Sequence, residues 1–448
     1  MRPTASTRSG IVTGIRTRVR SALARLGRWA LVGAFGLAAL IGIQHLSRGT
    51  SVRHVHGVGA DGTPVAPDEP QFPLSVAMLT GAVLLPARQV EIALNGDGTF
   101  ARLWDDLRSA RQSITLQLYV GQGGRVADTL CQILAERAAA GVKVFLLYDA
   151  FGFQGMPSEH QSALRAAGAV VVPFRPLRLS TLHMAQNRSH VRGIVVDGHI
   201  GWTGGFSIDD RWLGDGRTSD SWRDTNVRFE GPAVRQLQAA FAAAWVEATG
   251  TLFSGRATVG DGDGDRGLAG LLYATPTMGS TSAERFFAMT IAGARRTLYI
   301  TNSYFAPDDS FVGLLADAAR RAVDVRILTG GSRTDVRTVR LAGRAQYAPL
   351  LEAGVRIYEW QPTTLHAKTF VADGVWATIG SINFDNRSLT LNDESTLMIL
   401  DENIGQQMDA VFLDDLSHAK EITLLGFRQR AWLPRVLERA ASAIQRLL

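Results

Sequence analysis

A pattern of one histidine, one basic residue and one aspartate occurs twice in this 448-residue chain and constrains its fold more than any other feature. The copies span residues 190–197 and 366–373, and both read H-x-[KR]-x-x-x-x-D. A turn of small residues follows each copy. Two histidines in matching spacing and matching surroundings indicate a duplicated structural unit.

The segments around the two motifs alternate strand-like and helix-like patterns in the same order. Strand-like runs at 113–120 and 142–148 match runs at 297–303 and 323–328. Strands that alternate with helices build a mostly parallel sheet covered on both faces. The predicted fold class is therefore α/β, with two α/β/α repeats at about 88–250 and 268–425.

The motif spacing favours phosphoryl chemistry. On a strand, residues i and i+2 share a face, so His190 and Arg192 point toward one ligand, as do His366 and Lys368. A neutral imidazole is a nucleophile, and a neighbouring cation can neutralise phosphoryl oxygens. Two imidazoles allow one to attack phosphorus while the other protonates the leaving oxygen. This chemistry needs no cofactor, and the spacing offers no convincing metal site.

The aspartates of the two motifs have a different predicted role. Asp197 and Asp373 lie seven residues after their histidines, on the opposite strand face, and a glycine follows each. They belong to the candidate catalytic motif, but their position favours stabilising a turn over touching substrate.

The charge distribution argues against nucleic acid as a partner. Residues 1–60 contain nine arginines and no acidic residue, so the net charge of +6 leaves −3 for residues 61–448. A nucleic-acid binder would be expected to carry its basic excess on the folded domain. An Arg-rich arm beside an acidic domain favours a membrane surface.

The arm itself, residues 1–46, is predicted to be a basic segment with a membrane anchor. Residues 29–43 are apolar and uncharged, and seven arginines precede them. A cleaved signal peptide or an organellar transit peptide would show a similar pattern. Positive-inside logic would leave the bulk of the chain outside the cytoplasm.

Three further segments lie outside the repeats. Residues 47–87 and 251–267 are predicted linkers, and the run at 260–267 resembles a calcium loop only superficially. Residues 426–448 predict a basic amphipathic helix, which could lie on an anionic membrane or pack on the domain. The single cysteine, Cys131, allows no internal disulfide.

The chain resembles the phospholipase D superfamily and, within it, the bacterial cardiolipin synthases. The resemblance covers about residues 70–425 and is most specific in AGVRIYEWQPTTLHAKTFVADG, IGSINFDNRS and NDE, between residues 353 and 394. It implies two α/β halves related by a pseudo-twofold axis, with both motifs at one active site. It also implies a covalent phosphohistidine intermediate and no metal.

The resemblance also implies further site residues. A carboxylate after each motif would orient its histidine, which here means Asp224 and Glu394. The positions that bind phosphate or substrate would be Ser207, Ser381 and Asn383.

The first copy departs from the family pattern at three positions. Arg192 replaces the usual lysine, Gly205 stands where the second copy has Ser381, and Ser207 replaces an asparagine. Arginine keeps the charge but is longer and forked, so the activity of the first site is in question.

The expected function is that of a membrane-associated phosphatidyltransferase that joins two phosphatidylglycerols into cardiolipin and releases glycerol. The expected partners are phosphatidylglycerol or another anionic phospholipid and the bacterial cell membrane, without nucleic acid. Three alternatives stay open: a phospholipase D hydrolase with water as acceptor, a phosphodiester nuclease, and a lipid-binding protein with a degenerate first site.

Overall fold

The computed structural model describes residues 25–33, 35–36, 39, 51–57, 62–178, 185–218, 220–252, 255, 264, 266–277 and 279–443. Residues 25–33 are helical. Seven of the fifteen residues of the predicted anchor at 29–43, most of the predicted linker at 251–267 and residues 444–448 fall outside this set. Among the described residues, no helix has the length and apolar character needed to cross a bilayer.

Helices and strands alternate along the chain. The helices are α1 (Phe72–Thr80), α2 (Asn95–Ser109), α3 (Arg125–Ala139), α4 (Ser158–Ala166), α5 (Ala233–Thr249), α6 (Ser282–Gly293), α7 (Asp309–Arg320), α8 (Arg337–Arg344), α9 (Tyr347–Glu352), α10 (Asn386–Thr390), α11 (Glu402–Ser417), α12 (Leu424–Arg428) and α13 (Trp432–Ala443). The strands are β1 (Leu85–Ala87), β2 (Gln89–Leu94), β3 (Ser113–Leu118), β4 (Lys143–Asp149), β5 (Val170–Phe174), β6 (Gly193–Val196), β7 (Ile200–Gly204), β8 (Trp222–Arg223), β9 (Thr225–Glu230), β10 (Arg266–Ala274), β11 (Thr297–Asn302), β12 (Asp324–Gly330), β13 (Arg356–Trp360), β14 (Thr364–Leu365), β15 (Lys368–Ala372), β16 (Trp376–Gly380), β17 (Glu394–Leu400) and β18 (Ala419–Ile422).

Two large sheets repeat one strand order. The first sheet runs β2-β9-β7-β6-β3-β4-β5, and the second contains β10-β17-β16-β15-β11-β12-β13 between the edge strands β1 and β18. Each strand of the first order has its counterpart in the second. The repeated order agrees with the duplicated α/β unit that the motifs predict.

The sheets are mixed, so the prediction of a mostly parallel sheet is wrong. Parallel pairing is confined to β3-β4-β5 and β11-β12-β13, and the other neighbours pair antiparallel. The reason lies in the motif itself, because β6 and β7 are joined by the short turn at 197–199, as β15 and β16 are at 373–375. A connection this short can only reverse the chain direction.

The segment predicted as a linker at 47–87 contributes to the second half. It contains α1, which packs against α6, and β1, which pairs with β10. Phe72 and Val76 of α1 are fully buried in the second core, beside Trp376 and Phe286. The Pro- and Gly-rich composition of residues 47–87 therefore gave no indication of the apolar helix α1, which covers one face of the second sheet.

Helix starts in the second half follow local capping chemistry. The Thr281 hydroxyl accepts a hydrogen bond from the Glu284 N–H, and the Glu284 carboxylate accepts one from the Thr281 N–H. This reciprocal pair is a capping box and defines where α6 begins. Asp308 caps α7 in the same position.

A hydrophobic layer joins the two halves. Val227 and Phe229 of β9 belong to the same buried cluster as Ile379 of β16 and Leu397 and Ile399 of β17. Because side chains from both sheets share this cluster, the halves form one packed body.

Backbone pairing between the halves places the two motifs. Strand β8 of the first half pairs parallel with β14 of the second, and Ser189 forms a bridge with Asp393. Arg223 and Asp415, each 3% exposed, form a bidentate ion pair at 2.7 and 2.9 Å. Removing one partner of such a pair leaves a buried charge uncompensated, which costs about 3–5 kcal/mol.

Candidate active site

Each motif histidine is bound by its backbone to the opposite half. The His366 N–H donates to the carbonyl of Arg223 at 2.7 Å, and the His190 N–H donates to the carbonyl of Asp393 at 2.8 Å. The two acceptors immediately precede Asp224 and Glu394 in the sequence. The backbone therefore sets each histidine beside a carboxylate of the other half.

His366 is oriented by Asp224. The Nδ1 atom of His366 lies 2.8 Å from Oδ2 of Asp224, in hydrogen-bond geometry. The Trp212 indole N–H donates to the same oxygen at 2.7 Å, and the Thr225 N–H donates to Oδ1 at 2.8 Å. A carboxylate with these partners cannot turn away, so it holds the Nδ1–H tautomer and leaves Nε2 of His366 free to react.

His190 faces Glu394 in the equivalent arrangement at a longer distance. Its Nδ1 atom lies 3.3 Å from Oε1 of Glu394, an ion-pair distance without a well-aligned hydrogen bond. The Ser381 hydroxyl donates to Oε2 of Glu394 at 2.5 Å and thereby orients the carboxylate. Both carboxylates are fully buried.

The carboxylates are exchanged between the halves, which corrects one expectation. The resemblance implies that Asp224 orients His190 and that Glu394 orients His366, each within its own copy. In the structure Asp224 contacts His366 and Glu394 contacts His190. The physical reason is the pairing of β8 with β14 and of Ser189 with Asp393, which aligns each histidine with the other half's carboxylate strand.

The two motif cations are buried beside their histidines. Lys368 donates through Nζ to the carbonyl of His366. Arg192 donates through Nη1 to the carbonyl of His190 at 3.0 Å and through Nε to the Ser207 hydroxyl at 3.3 Å. Arg192 also lowers the pKa of both His366 and Lys368, so its charge acts on the second motif as well as on its own.

Both imidazoles are neutral at neutral pH. Burial lowers the pKa of His366 to about 4, with the Lys368 charge acting in the same direction and Asp224 opposing it. Burial also lowers the pKa of His190, while Glu394 opposes the change and Arg192 adds to it. A neutral ring with an oriented Nδ1–H is the nucleophilic form.

The charged groups respond to the same burial. Burial lowers the pKa of Lys368 to about 7; Asp224 opposes this change and Arg192 adds to it. For Asp224, burial favours the neutral acid, but the charges of His366 and Lys368 and the Trp212 hydrogen bond lower its pKa to about 2. At pH 7 Asp224 is thus ionised, and Lys368 is near its midpoint.

The motif aspartates stabilise turns. The Asp197 carboxylate accepts the backbone N–H groups of residues 111–113 at 2.8–2.9 Å, and Asp373 accepts those of residues 295–297 at 2.7–2.9 Å. Both residues have positive φ, 51° and 56°, as tight turns require. Their contacts are structural, in agreement with the position predicted from the spacing.

The three residues expected to bind phosphate contact other site groups. Ser207 accepts from Arg192, Ser381 donates to Glu394, and Asn383 accepts from the Ser303 hydroxyl at 2.9 Å. The contact to Glu394 makes Ser381 a positioning residue for the His190 pair.

Aromatic residues around the histidines were not predicted from the sequence. The Tyr119 ring lies 4.0 Å from the His190 ring, between ring centres, and Trp212 and Trp222 lie 5.0 and 5.2 Å from His366. These rings shield the imidazoles from water. No local pattern distinguishes them from core aromatics, so a single sequence gives no signal for them.

Gly205 shows why the first motif departs from the second. A Cβ atom at this position would lie 2.2 Å from Oδ1 and 2.5 Å from Oδ2 of Asp224. The shorter Asp224 carboxylate occupies the space that Ser381 fills in the other half, and Trp212 supplies the missing donor. The glycine is therefore an adaptation to Asp224.

Metal ligands do not cluster in the part of the chain that the structure describes. No group of three or more histidine, cysteine, aspartate or glutamate side chains there is arranged to hold a metal ion.

We expect His366 to remain neutral down to about pH 4 and to carry its proton on Nδ1 at pH 7, because burial and Asp224 hold it in that state. Long-range ¹⁵N NMR of histidine-labelled protein measures both properties. In Asp224→Asn the Nδ1–H tautomer should lose population and the imidazole pKa should fall further, since the carboxylate raises it. An unchanged tautomer in the variant would contradict the assignment.

We also expect Gly205→Ser to disturb the same pair, although it makes the first motif more like the second. The added Cβ displaces the Asp224 carboxylate, so the NMR signature of His366 should resemble that of Asp224→Asn. Ser381→Ala is the matched control, because it should alter His190 through Glu394 and leave His366 unchanged. A wild-type His366 spectrum in Gly205→Ser would contradict this prediction, because it would show that a Cβ atom at position 205 fits without displacing the Asp224 carboxylate.

The chain is similar to known cardiolipin synthases. A family model described as cardiolipin synthase, PLD-like domain, matches residues 288–416. The cardiolipin synthase of Geobacillus thermodenitrificans (strain NG80-2) is 35% identical over 369 residues, which cover 81% of this chain and 73% of that protein. Cardiolipin synthase A of Pseudomonas putida (strain GB-1) is 34% identical over 366 residues, 81% of this chain and 76% of that protein.

A solved structure shows the same fold at low identity. The phosphatidylserine synthase of Haemophilus influenzae Rd KW20 matches 84% of this chain and 99% of its own, with a TM-score of 0.61 and 13% identity. These relatives, together with the buried histidine pairs, show that the chain belongs to the bacterial cardiolipin synthase family of the phospholipase D superfamily and is a phospholipase D-type phosphatidyltransferase.

Proposed function

We propose that this enzyme joins two phosphatidylglycerol molecules into cardiolipin and releases glycerol, through a phosphohistidine intermediate. The observation that supports this most directly is the exchange of carboxylates, which prepares two neutral imidazoles with buried cations between two packed halves. One phosphodiester held there would meet both imidazoles. The names of the relatives support cardiolipin as the product.

The first step forms the phosphatidyl-enzyme. Nε2 of one histidine attacks phosphorus, a P–N bond forms, and the P–O bond to the glycerol headgroup breaks. The other histidine donates a proton to the departing glycerol oxygen. Arg192 and Lys368 neutralise the non-bridging phosphate oxygens as charge develops on them.

The second step reverses these roles. The histidine that gave up its proton removes one from the hydroxyl of a second phosphatidylglycerol. That oxygen attacks phosphorus, the P–N bond breaks and cardiolipin leaves. The proton taken from this hydroxyl restores the acid histidine to its protonated form, so the enzyme ends the cycle in the state in which it began. With water as the acceptor, the product of the same step would be phosphatidic acid.

The acid histidine must enter the cycle protonated, and the substrate provides the reason. Burial lowers the pKa of both imidazoles. A phosphodiester anion bound beside them favours their charged form and raises the pKa of the nearer ring. Substrate binding would thus supply the acid that the first step needs.

The substrate class also bears on location. We propose that the enzyme works at the bacterial cell membrane, because phosphatidylglycerol is a bilayer lipid, and that residues 29–43 supply an anchor. The uncharged run after seven arginines supports this assignment.

Purified full-length protein in mixed micelles of detergent and phosphatidylglycerol should produce cardiolipin and glycerol in equal amounts, measured by mass spectrometry. His190→Ala and His366→Ala should each reduce the rate by more than about 100-fold, the usual contribution of a positioned acid or base. His199→Ala, at a histidine outside both motifs, is the control. Phosphatidic acid as the sole product would instead identify a hydrolase.

The rate should depend on pH through Lys368. Because its pKa is lowered to about 7, its charge is present below that pH and is lost as the pH rises through it. The value of kcat/KM, which reports the free enzyme, should fall on the alkaline side. Lys368→Arg should remove this limb, since a guanidinium stays protonated, while Lys143→Arg at an exposed strand end should retain it. A limb that persists in Lys368→Arg would assign it to another group.

Arg192 should be an adaptation of the first motif. Its guanidinium group donates hydrogen bonds to both the Ser207 hydroxyl and the His190 carbonyl, and a lysine could keep only one of them. We expect Arg192→Lys to lower turnover by roughly tenfold, since a hydrogen bond to a charged group contributes about 1.5–3 kcal/mol. Arg111→Lys on the surface is the control. A large gain in turnover would show that the arginine impairs the site.

A further inference from the structure

The C-terminal helix α13 has one face packed against the body of the protein. Glu438 and Ala441 are buried there, and α13 packs against α8. The Glu438 carboxylate accepts from Nε of Arg344 at 3.0 Å and also pairs with Arg430. A buried carboxylate between two arginines holds this face of the helix in place.

The opposite face of α13 is apolar and exposed. Trp432, Leu433, Val436 and Leu437 are 72%, 51%, 50% and 49% exposed. Leu425 in the neighbouring α12 is 68% exposed. We call these five residues the α13 face. Large apolar side chains grouped in this way mark a surface that binds another phase or molecule.

The exposed charges on α13 itself have one sign. Arg435 and Arg439 are exposed and border the apolar stripe by helical spacing. The only acidic residue between positions 424 and 443 is Glu438, which is buried and paired with arginines. An apolar stripe bordered by arginines complements a surface of anionic headgroups over acyl chains.

We propose that the α13 face docks the enzyme on an anionic lipid bilayer, a role that rests on the proposed function because the substrate lies in that bilayer. Charge also argues against a second copy of the chain as the occupant. A symmetric pair of these faces would bring Arg435 and Arg439 of both copies together, and the acidic side chain beside α12, Glu352, is already paired with Arg428.

The α13 face is connected to the active site by a short path. Helix α8, on which α13 packs, begins two residues after Asp335. The Asp335 carboxylate accepts a hydrogen bond from the Tyr304 hydroxyl, and its charge acts on Lys368. Helix α8 thus links the α13 face to a loop whose charge acts on Lys368.

A site-specific fluorophore tests the contact directly. Cys131 is buried and burial raises the pKa of its thiol to about 12, so an environment-sensitive maleimide should label only an introduced cysteine. Val436→Cys places the probe on the α13 face, and Val170→Cys, 43% exposed at the amino end of β5, is the matched control. The labelled proteins are mixed with vesicles of phosphatidylcholine that contain about one-third phosphatidylglycerol. Vesicles of pure phosphatidylcholine serve for comparison.

We expect the emission of the probe at 436 to rise about twofold or more with the anionic vesicles and little with the neutral ones, as it enters the acyl region. The probe at 170 should not respond. Arg435→Gln combined with Arg439→Gln should weaken the response to anionic vesicles by roughly tenfold or more, since each basic residue near the surface contributes about a factor of five. The same changes at Arg102 and Arg108 on α2 should have little effect.

Three outcomes would overturn the proposal: a silent probe at 436, equal responses at 436 and 170, or a signal that needs no vesicles and grows with protein concentration, which would identify a second copy. Turnover of phosphatidylglycerol in mixed micelles by the labelled protein separates the two claims. A silent probe with normal turnover removes the docking surface alone. A response without turnover removes the proposed function and leaves a lipid-binding surface.

Discussion

The active site depends on the exchange of two carboxylates between the halves. His366 is oriented by Asp224 and His190 faces Glu394, so neither half contains a complete histidine–carboxylate pair. The exchange follows from backbone pairing, because each histidine N–H donates to the residue just before the opposite carboxylate. A single half would expose an unpaired imidazole and an unpaired carboxylate. Assembly of the two halves is therefore a condition for the proposed chemistry, and the shared hydrophobic layer and the buried Arg223–Asp415 ion pair hold the halves together.

The two halves reach the same result with different side chains. The second half has a long carboxylate, Glu394, held by a serine hydroxyl. The first has a short one, Asp224, held by the Trp212 indole, and a glycine leaves the space that the carboxylate needs. Each substitution in the first motif is thus matched by another nearby. Changes that compensate one another in this way indicate that the first motif has adapted as a unit. A motif that had lost its function would instead carry changes without compensating partners.

The sequence predicts the local features of this structure and misses those that arise between distant segments. The motif residues follow from their spacing, because a strand places alternate residues on one face, and the alternation of strands with helices follows from the hydrophobic pattern. Asp197 could be assigned to a turn for the same reason. The partner of each histidine was assigned within its own copy, which is wrong, because only the pairing of β8 with β14 shows which carboxylate each histidine contacts. The helix at Phe72–Thr80 was not predicted, because the residues around it are rich in proline and glycine.

Charge balance links the buried groups of the site to the proposed reaction. The Asp224 and Glu394 carboxylates face the cations Arg192 and Lys368, and at neutral pH Lys368 is near its midpoint and both imidazoles are neutral. The opposite charges offset one another, which limits the cost of burying them. A phosphodiester adds one negative charge in a region of low dielectric constant. That charge is compensated most readily by full protonation of Lys368 and by protonation of one imidazole, since both groups have lowered pKa values and take up a proton when an anion arrives. In the proposed reaction the bound anion would thus create the general acid, so the glycerol oxygen would receive its proton only in the enzyme–substrate complex.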